Sequence, residues 1–382
     1  MSSLRRFALI LFPLFITLAI DGAHAQDGES ASAAPQPSTA FPAPSVTAPP
    51  AELWLPRALT PQEKPRHVAA DVLLMQAERL REGYPNTQFL QDELRQHKYD
   101  LVESQLDVIL AKSMADPAYE FVEQDAANFA EGENPVQPLD KTVIDDWVAA
   151  IPDSPWAHYS EGLRWSDKAW DARGNGWAQD ITEAQWKVVH ADETQARAEI
   201  RKSLTLNPKI AIAWVTLMNI DRTDGTMDDE TKDFVGGSKQ RPASFLIPDQ
   251  FEEQLQPRWG GSMEIMDALA QAEVKKVDLN PRFWSLLGSA AADAGCAACN
   301  HYDWATSLKE YNSALIYGDR PSWLERAGDA AKYLHRYALA HAYYERAKHY
   351  KTDEFDLVIE TDLMDALCNP ATDPRKLAIL EQ

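Results

Sequence analysis

Positive charge, long apolar runs and β-branched alternation are all scarce in this chain, and each scarcity removes a class of function or fold. Lys and Arg number 37 against 59 Asp and Glu, and the resulting net charge of −22 argues against nucleic acid or any other polyanion as a partner. Beyond the N-terminus, no stretch approaches the ~20 apolar residues that a membrane-crossing helix needs. No alternating β-branched run is long enough to predict a strand, so the chain reads as all-α. Missing too are a Gly-x-Ser-x-Gly elbow, a phosphate loop and a paired-histidine zinc motif. Catalysis therefore has no foothold in the sequence, and no metal or cofactor is expected.

What is present begins with an export signal. Arg5 and Arg6 form a charged start, Phe7 to Ile20 an apolar run, and Ala23-His24-Ala25 a small-x-small cleavage site. Residues 1–25 are thus expected to be removed after Ala25. Pro13 and Asp21 interrupt the run, which disfavours an uncleaved anchor, and no cysteine near the cut could carry a lipid. Losing two arginines and one aspartate takes the net charge from −22 to −23. The expected location is periplasmic or secreted. Residues 26–65 follow, rich in Ala, Ser, Thr and Pro, with six prolines between Pro35 and Pro50. Such a segment has too little to bury and reads as a disordered tether.

From residue 66 onward, apolar residues recur at helical spacing. Leu90, Leu94, Leu101, Leu106, Ile109 and Leu110 form stripes broken near His97-Lys98. Val143, Ile144, Trp147, Val148 and Ile151 line one side of a further helix, and Asp153-Ser154-Pro155 supplies an N-cap followed by a first-turn proline. Internal repetition sets the architecture, since a period near ~34 residues means helix pairs that bury their faces only by stacking on neighbours. The best copy places Leu324, Gly328 and Ala331 on one helix and Ala340, Tyr344 and Ala347 on the next, at tetratricopeptide offsets, with Thr352 where a helix-stopping proline usually stands. A second copy reads Trp284, Gly288 and Ala291, then Ser307, Tyr311 and Ala314, with extra residues in the turn that holds Cys296 and Cys299. A third reads Gly162 and Trp165, then Ala196, Ile200, Ser203 and Pro208, with an insertion from Gly174 to about Gln195. That insertion is either a projecting functional element or an elongated helix and loop. The predicted fold is an all-α solenoid of tetratricopeptide-like helix pairs, divided at residues 66–276 and 277–382.

Two motifs carry a family resemblance. Trp147, Pro152, Ser154 and Ala157 lead into Ala169-Trp170-Asp171-Ala172-Arg173-Gly174, and later comes Pro257-Arg258-Trp259-Gly260-Gly261-Ser262 ahead of a helix with Met263 and Met266. In order and separation these resemble the bacterial "domain of unknown function 4034" family, which often accompanies tetratricopeptide repeats. Over about residues 94–276 the resemblance implies a helical-repeat scaffold and brings no activity with it. The polar segment from Asp224 to Pro242 departs from a clean repeat, so a docked helix is not expected there.

Candidate site residues divide between structural and functional readings. Arg173 and Gly174 end a helix among Trp165, Trp170, Trp177 and Trp186. They make either a C-cap beside core tryptophans or a pocket where Arg173 pairs a carboxylate and the indoles stack on a ligand. Trp259-Gly260-Gly261-Ser262 sets a turn in which Ser262 N-caps the next helix, or alternatively holds an anion on free amides. Cys296-Ala297-Ala298-Cys299 reads first as a disulfide stapling a turn, with Cys368 left over, then as free thiols. Redox and zinc chemistry lack their context, and Asn300 before His301 breaks a haem-attachment motif. Asp221, Asp224, Asp228, Asp229 and Glu230 read as a solvated acidic loop rather than a calcium site. His158, His190, His335 and His341 are expected on helices. Two functions follow. One is a non-catalytic scaffold binding a protein or peptide partner in the cell envelope. The other is a protein that binds small molecules or cell-wall fragments, or a hydrolase, with its site near Arg173, Trp177 and Trp259.

Overall fold

The computed structural model describes residues 57–82, 87–132, 138–174, 180–224 and 227–350. The signal segment, most of the linker, Trp177, Thr352 and Cys368 lie outside them. Among the described residues the regular elements are helices, with no strand. The first are α1 (Glu63–Glu82), α2 (Thr87–Arg95), α3 (Tyr99–Ala115), α4 (Glu120–Ala127) and α5 (Lys141–Ala150). Then come α6 (Pro155–Arg173), α7 (Glu183–Leu206), α8 (Ala211–Asp224), α9 (Met227–Gln240) and α10 (Leu246–Gln254). After α11 (Met263–Glu273), a 3-10 segment (Pro281–Gly288) leads into α12 (Ser289–Asn300), α13 (Trp304–Ala314), α14 (Pro321–Tyr333) and α15 (Tyr337–Ala347). Consecutive helices pack as pairs, α6 on α7, α8 on α9, α12 on α13 and α14 on α15, which is the expected helix-pair solenoid. No described helix is long and apolar enough to cross a membrane.

Small residues set how closely the paired helices approach. A Cβ on Gly328 would stand 2.5 Å from the ring of Tyr344, and one on Gly162 would stand 2.5 Å from Ile200. These two contacts bear out the first and third repeat copies. The second copy has a different register. On α12 the residue facing Tyr311 is Gly295, whereas Gly288 closes the preceding 3-10 segment against Ala314 and Trp323. Gly295 and Gly328 are 33 residues apart, as are Tyr302 and His335, and Tyr311 and Tyr344. No extra residues are therefore inserted in this turn, and Cys296 and Cys299 sit on α12 itself.

A shared turn joins three of the pairs. His97, Tyr302 and His335 adopt positive φ of 59°, 61° and 56°, a region that residues other than glycine rarely occupy. Two residues on, Tyr99, Trp304 and Tyr337 open the second helix and meet the first ring edge-on at 5.6, 6.0 and 5.8 Å. His335 is accordingly a turn residue, not a helical one. The break near His97-Lys98 is the turn of a further pair, α2 with α3.

Elsewhere the local chemistry follows the sequence. Ser154 Oγ accepts the Ala157 N–H at 2.8 Å with Pro155 in the first turn of α6. The insertion after Gly174 is mostly helix, since α7 already begins at Glu183 under a capping box of Thr182 and Gln185. Contrary to expectation, Met227–Gln240 is a docked helix. Gly236 and Gly237 let it ride directly on the Trp214 ring, and Phe234 stacks on Phe251 at 4.4 Å. Nor do the acids form a solvated loop. Asp221 is buried on α8 and paired to Arg197 at 3.0 Å, Glu230 is buried on α9, and Asp233 pairs with Arg201 at 2.9 Å.

Buried charges tie distant helices together. From α4, Glu123 receives Arg241 at 2.9 Å and the Ala211 N–H at 3.1 Å, while Glu120 accepts the Phe245 N–H at 3.0 Å and thereby caps the start of α10. Arg282 lies between the rings of Phe121 and Phe245, at 4.1 and 4.0 Å, where burial lowers its pKa to about 10. Helix α1 reaches the last helix pair among the described residues. His67 Nδ1 is 2.9 Å from the Ile316 carbonyl, and Asp71 accepts the Asp319 N–H at 2.7 Å and meets Arg346 at 3.1 Å.

Candidate functional site

Of the candidate residues named from the sequence, Arg173, Trp259 and Ser262 fall among the described residues and Trp177 does not. Arg173 is buried at the end of α6, its guanidinium 3.1 Å from the Gly174 carbonyl and 5.2 Å from the centre of the Trp170 ring. Burial lowers its pKa. Gly174 follows at φ 69° and donates to Trp170 O, which is the capping geometry. Trp165 donates to Glu161 at 2.7 Å with Lys168 4.3 Å above its ring, and Trp186 stacks on His190 at 5.5 Å. Ser262 caps α11 through the Ile265 N–H at 3.3 Å. Trp259 is half-buried beneath Arg222, 5.4 Å from the ring centre. His158 is buried between Glu199, at 2.6 Å, and the Pro152 carbonyl, at 2.9 Å.

One neighbour of Trp259 does enter a cleft. Of about 290 Å³, the cleft opens where α10, the Pro257–Trp259 turn, α12, α13 and α14 meet. Its volume is at the small end of the ~300–1,000 Å³ usual for ligand sites, enough for one side chain or head group. Arg258 reaches across it to Asp293 at 2.7 Å, and Arg320 pairs with Asp249 at 2.5 Å. Glu253, also on the lining, pairs outward with Arg222, and Arg326 lies 3.5 Å from Asp329. Trp323 and Tyr311 supply apolar wall, and Arg320 stands 4.4 Å from the centre of the Trp323 ring. Cys296 opens into the same space, while Cys299, one turn further along α12, has its thiol pKa raised by burial. Both are free thiols in the structure.

Glu252 stands apart from these pairs. It is 3% exposed, it lines the cleft, and neither carboxylate oxygen makes a well-formed hydrogen bond among the described residues. Burial drives its pKa well above the usual carboxylate range, against the opposing pull of Arg320 and Ser289. Unsatisfied buried carboxyls are costly and therefore uncommon. Sequence spacing offers one hint of it: Glu252 falls one turn after Pro248 on the apolar face of α10, where an acid is out of place.

Two further clusters of titratable side chains lie outside the cleft. Donor atoms of His67, Asp71 and Asp319 lie within 4.8 Å of one another, a separation suited to a cation. Arg346 already fills that role, with Nε 2.5 Å from Asp319 and Nη2 3.1 Å from Asp71, and a metal would have to displace it. Glu131 and Asp167 crowd each other, and burial first, then mutual repulsion, raises Glu131 to about 8.

Comparison with known proteins supports the family resemblance. Residues 86–226 match the family described as "Domain of unknown function (DUF4034)". The Pro257 to Ser262 motif falls beyond the matched span. No curated protein matches. Among solved structures, "Crystal structure of APC/C hetero-tetramer Cut9-Hcn1" aligns with 73% of this chain at 15% identity and a TM-score of 0.34. The alignment covers 50% of that longer chain.

Proposed function

For a chain that carries a DUF4034 region within a helix-pair solenoid, we propose the role of an exported, non-catalytic scaffold that binds a protein or peptide partner in the cell envelope. The cleft carries this reading. Several successive elements place charged and aromatic groups around one opening, which is how stacked helix pairs build a binding surface. Its modest volume suits a protruding side chain of a larger partner better than a whole small molecule. Export rests on the charged, apolar and small-residue succession of residues 1–25. The alternative site around Arg173 draws no such support, because Arg173 is buried in a helix cap.

Site-specific photo-cross-linking in the native host tests both parts. A cross-linker at Ser322, on the exposed rim of the cleft, is expected to capture a partner that the same group at Val235 on α9 does not. The recovered chain should begin at Gln26. An intact Met1 in the cytoplasmic fraction would overturn export, and identical capture at both positions would overturn the assignment of the cleft.

A further inference from the structure

Resting on the reading of the cleft as a partner-binding site, we infer that it accepts a cationic head group, the ammonium of a lysine or the guanidinium of an arginine, which pairs with Glu252. The charge inventory of the lining points there. Asp249, Glu252, Glu253 and Asp293 contribute four carboxylates, and Arg258, Arg320 and Arg326 contribute three guanidiniums. Pairing uses up most of them: Asp249 with Arg320, Asp293 with Arg258, Glu253 with Arg222 from outside the lining, and Arg326 with Asp329. The carboxyl left without an ion pair of its own is that of Glu252, which feels Arg320 and the Ser289 hydroxyl but makes no well-formed hydrogen bond among the described residues.

An anion entering this space would compete with Asp249, Asp293 and Asp329 for guanidiniums they already pair with, and would face that carboxyl. A cation would satisfy it. An ammonium or guanidinium held against Glu252 allows the carboxylate to ionise and accept charge-assisted hydrogen bonds, about twice as strong as neutral ones. The chain's overall negative charge favours the same sign of ligand during approach. The apolar stem of such a side chain has matching walls in Met266, Tyr311 and Trp323.

Three blocked peptides make the test: acetyl-Gly-X-Gly-amide with X as lysine, norleucine or glutamate. Binding is read by NMR on the full mature chain selectively labelled at tryptophan, following the Trp323 signal. The lysine peptide is expected to bind at least tenfold more tightly than the norleucine peptide, which has the same stem without the charge. The glutamate peptide is expected to bind weakest. In Glu252→Gln, which keeps the shape and removes the charge, the lysine advantage should disappear. Should that variant misfold, the three-way comparison on the unaltered chain still decides. Equal binding of lysine and norleucine peptides would overturn the cation assignment while leaving a peptide cleft standing. If none of the three shifts Trp323, both the assignment and the cleft reading fail.

Discussion

At the scale of single residues, close packing and backbone strain separate two glycines that look alike in the sequence. Gly328 is helical, and its absent Cβ leaves room for Tyr344, a nearly buried ring whose hydroxyl donates to Asp329 at 2.8 Å. Gly174 has open space around it but holds φ 69° and ψ −177°, a conformation essentially confined to glycine. Alanine at either position is expected to cost roughly 1–3 kcal/mol, by overpacking at the first and by backbone strain at the second. A double-mutant cycle with Tyr344→Leu, read by urea unfolding, distinguishes the causes. Gly328→Ala should recover most of its loss in that background, whereas Gly174→Ala should recover none. The same residue scale accounts for one misreading from sequence. Gly288, Ala291, Ala292 and Gly295 all fall at helical spacing on one stripe of small side chains, so a register shifted by two turns fits the pattern equally well. Only contact with Tyr311 picks out Gly295.

Among the elements, the helices announced by amphipathic stripes and caps were legible, α5 and α6 most plainly, because Ile144, Trp147 and Ser154 act locally. Helix α9 was not, because its docking face is two glycines under a tryptophan supplied by α8, and a glycine pair reads as a break. The cleft was hidden for a related reason: Arg258 sat inside a recognised motif, but its meaning depends on Asp293 on α12. Helix α1 is likewise defined by distant partners, and it brings a pH dependence. Burial lowers the pKa of His67, but the Asp71 carboxylate, with Asp319 and the Ile316 carbonyl, outweighs burial and leaves it raised. A group whose folded pKa is raised stabilises fully below its unfolded value, about 6.5 for histidine, and that contribution is lost as pH rises through the folded value. Stability measured by urea unfolding is therefore expected to fall as pH climbs above about 6.5. His67→Gln, which keeps a neutral donor, should reduce that slope and leave the part due to Glu131, whose raised pKa of about 8 acts in the same direction; an unchanged slope would assign it elsewhere.

For the whole molecule, α1 changes how a solenoid should unfold. Stacked repeats contact only their neighbours, so long arrays tend to lose cooperativity and melt in parts. Here α1 packs against α4 and also reaches the 3-10 segment before α12, and its Asp71 meets Asp319 and Arg346 near the other end of the described chain. Four buried groups close that contact: His67, Asp71, Asp319 and Arg346, with the Tyr350 hydroxyl donating to Asp319 at 2.5 Å. Removing the arginine leaves two buried carboxylates without their shared counter-charge, a change of the kind that costs about 3–5 kcal/mol. Because the contact bridges the first helix and the last pair among the described residues, the loss should fall on coupling as well as on stability. The native chain is expected to unfold in one transition, with tryptophan fluorescence and helical circular dichroism superimposing. In Arg346→Met the two signals should separate, the α12 to α15 region melting at lower urea than the α6 to α10 region. Coincident but uniformly shifted curves would mean that the stacked interfaces alone keep the solenoid cooperative, and that α1 adds stability without adding coupling.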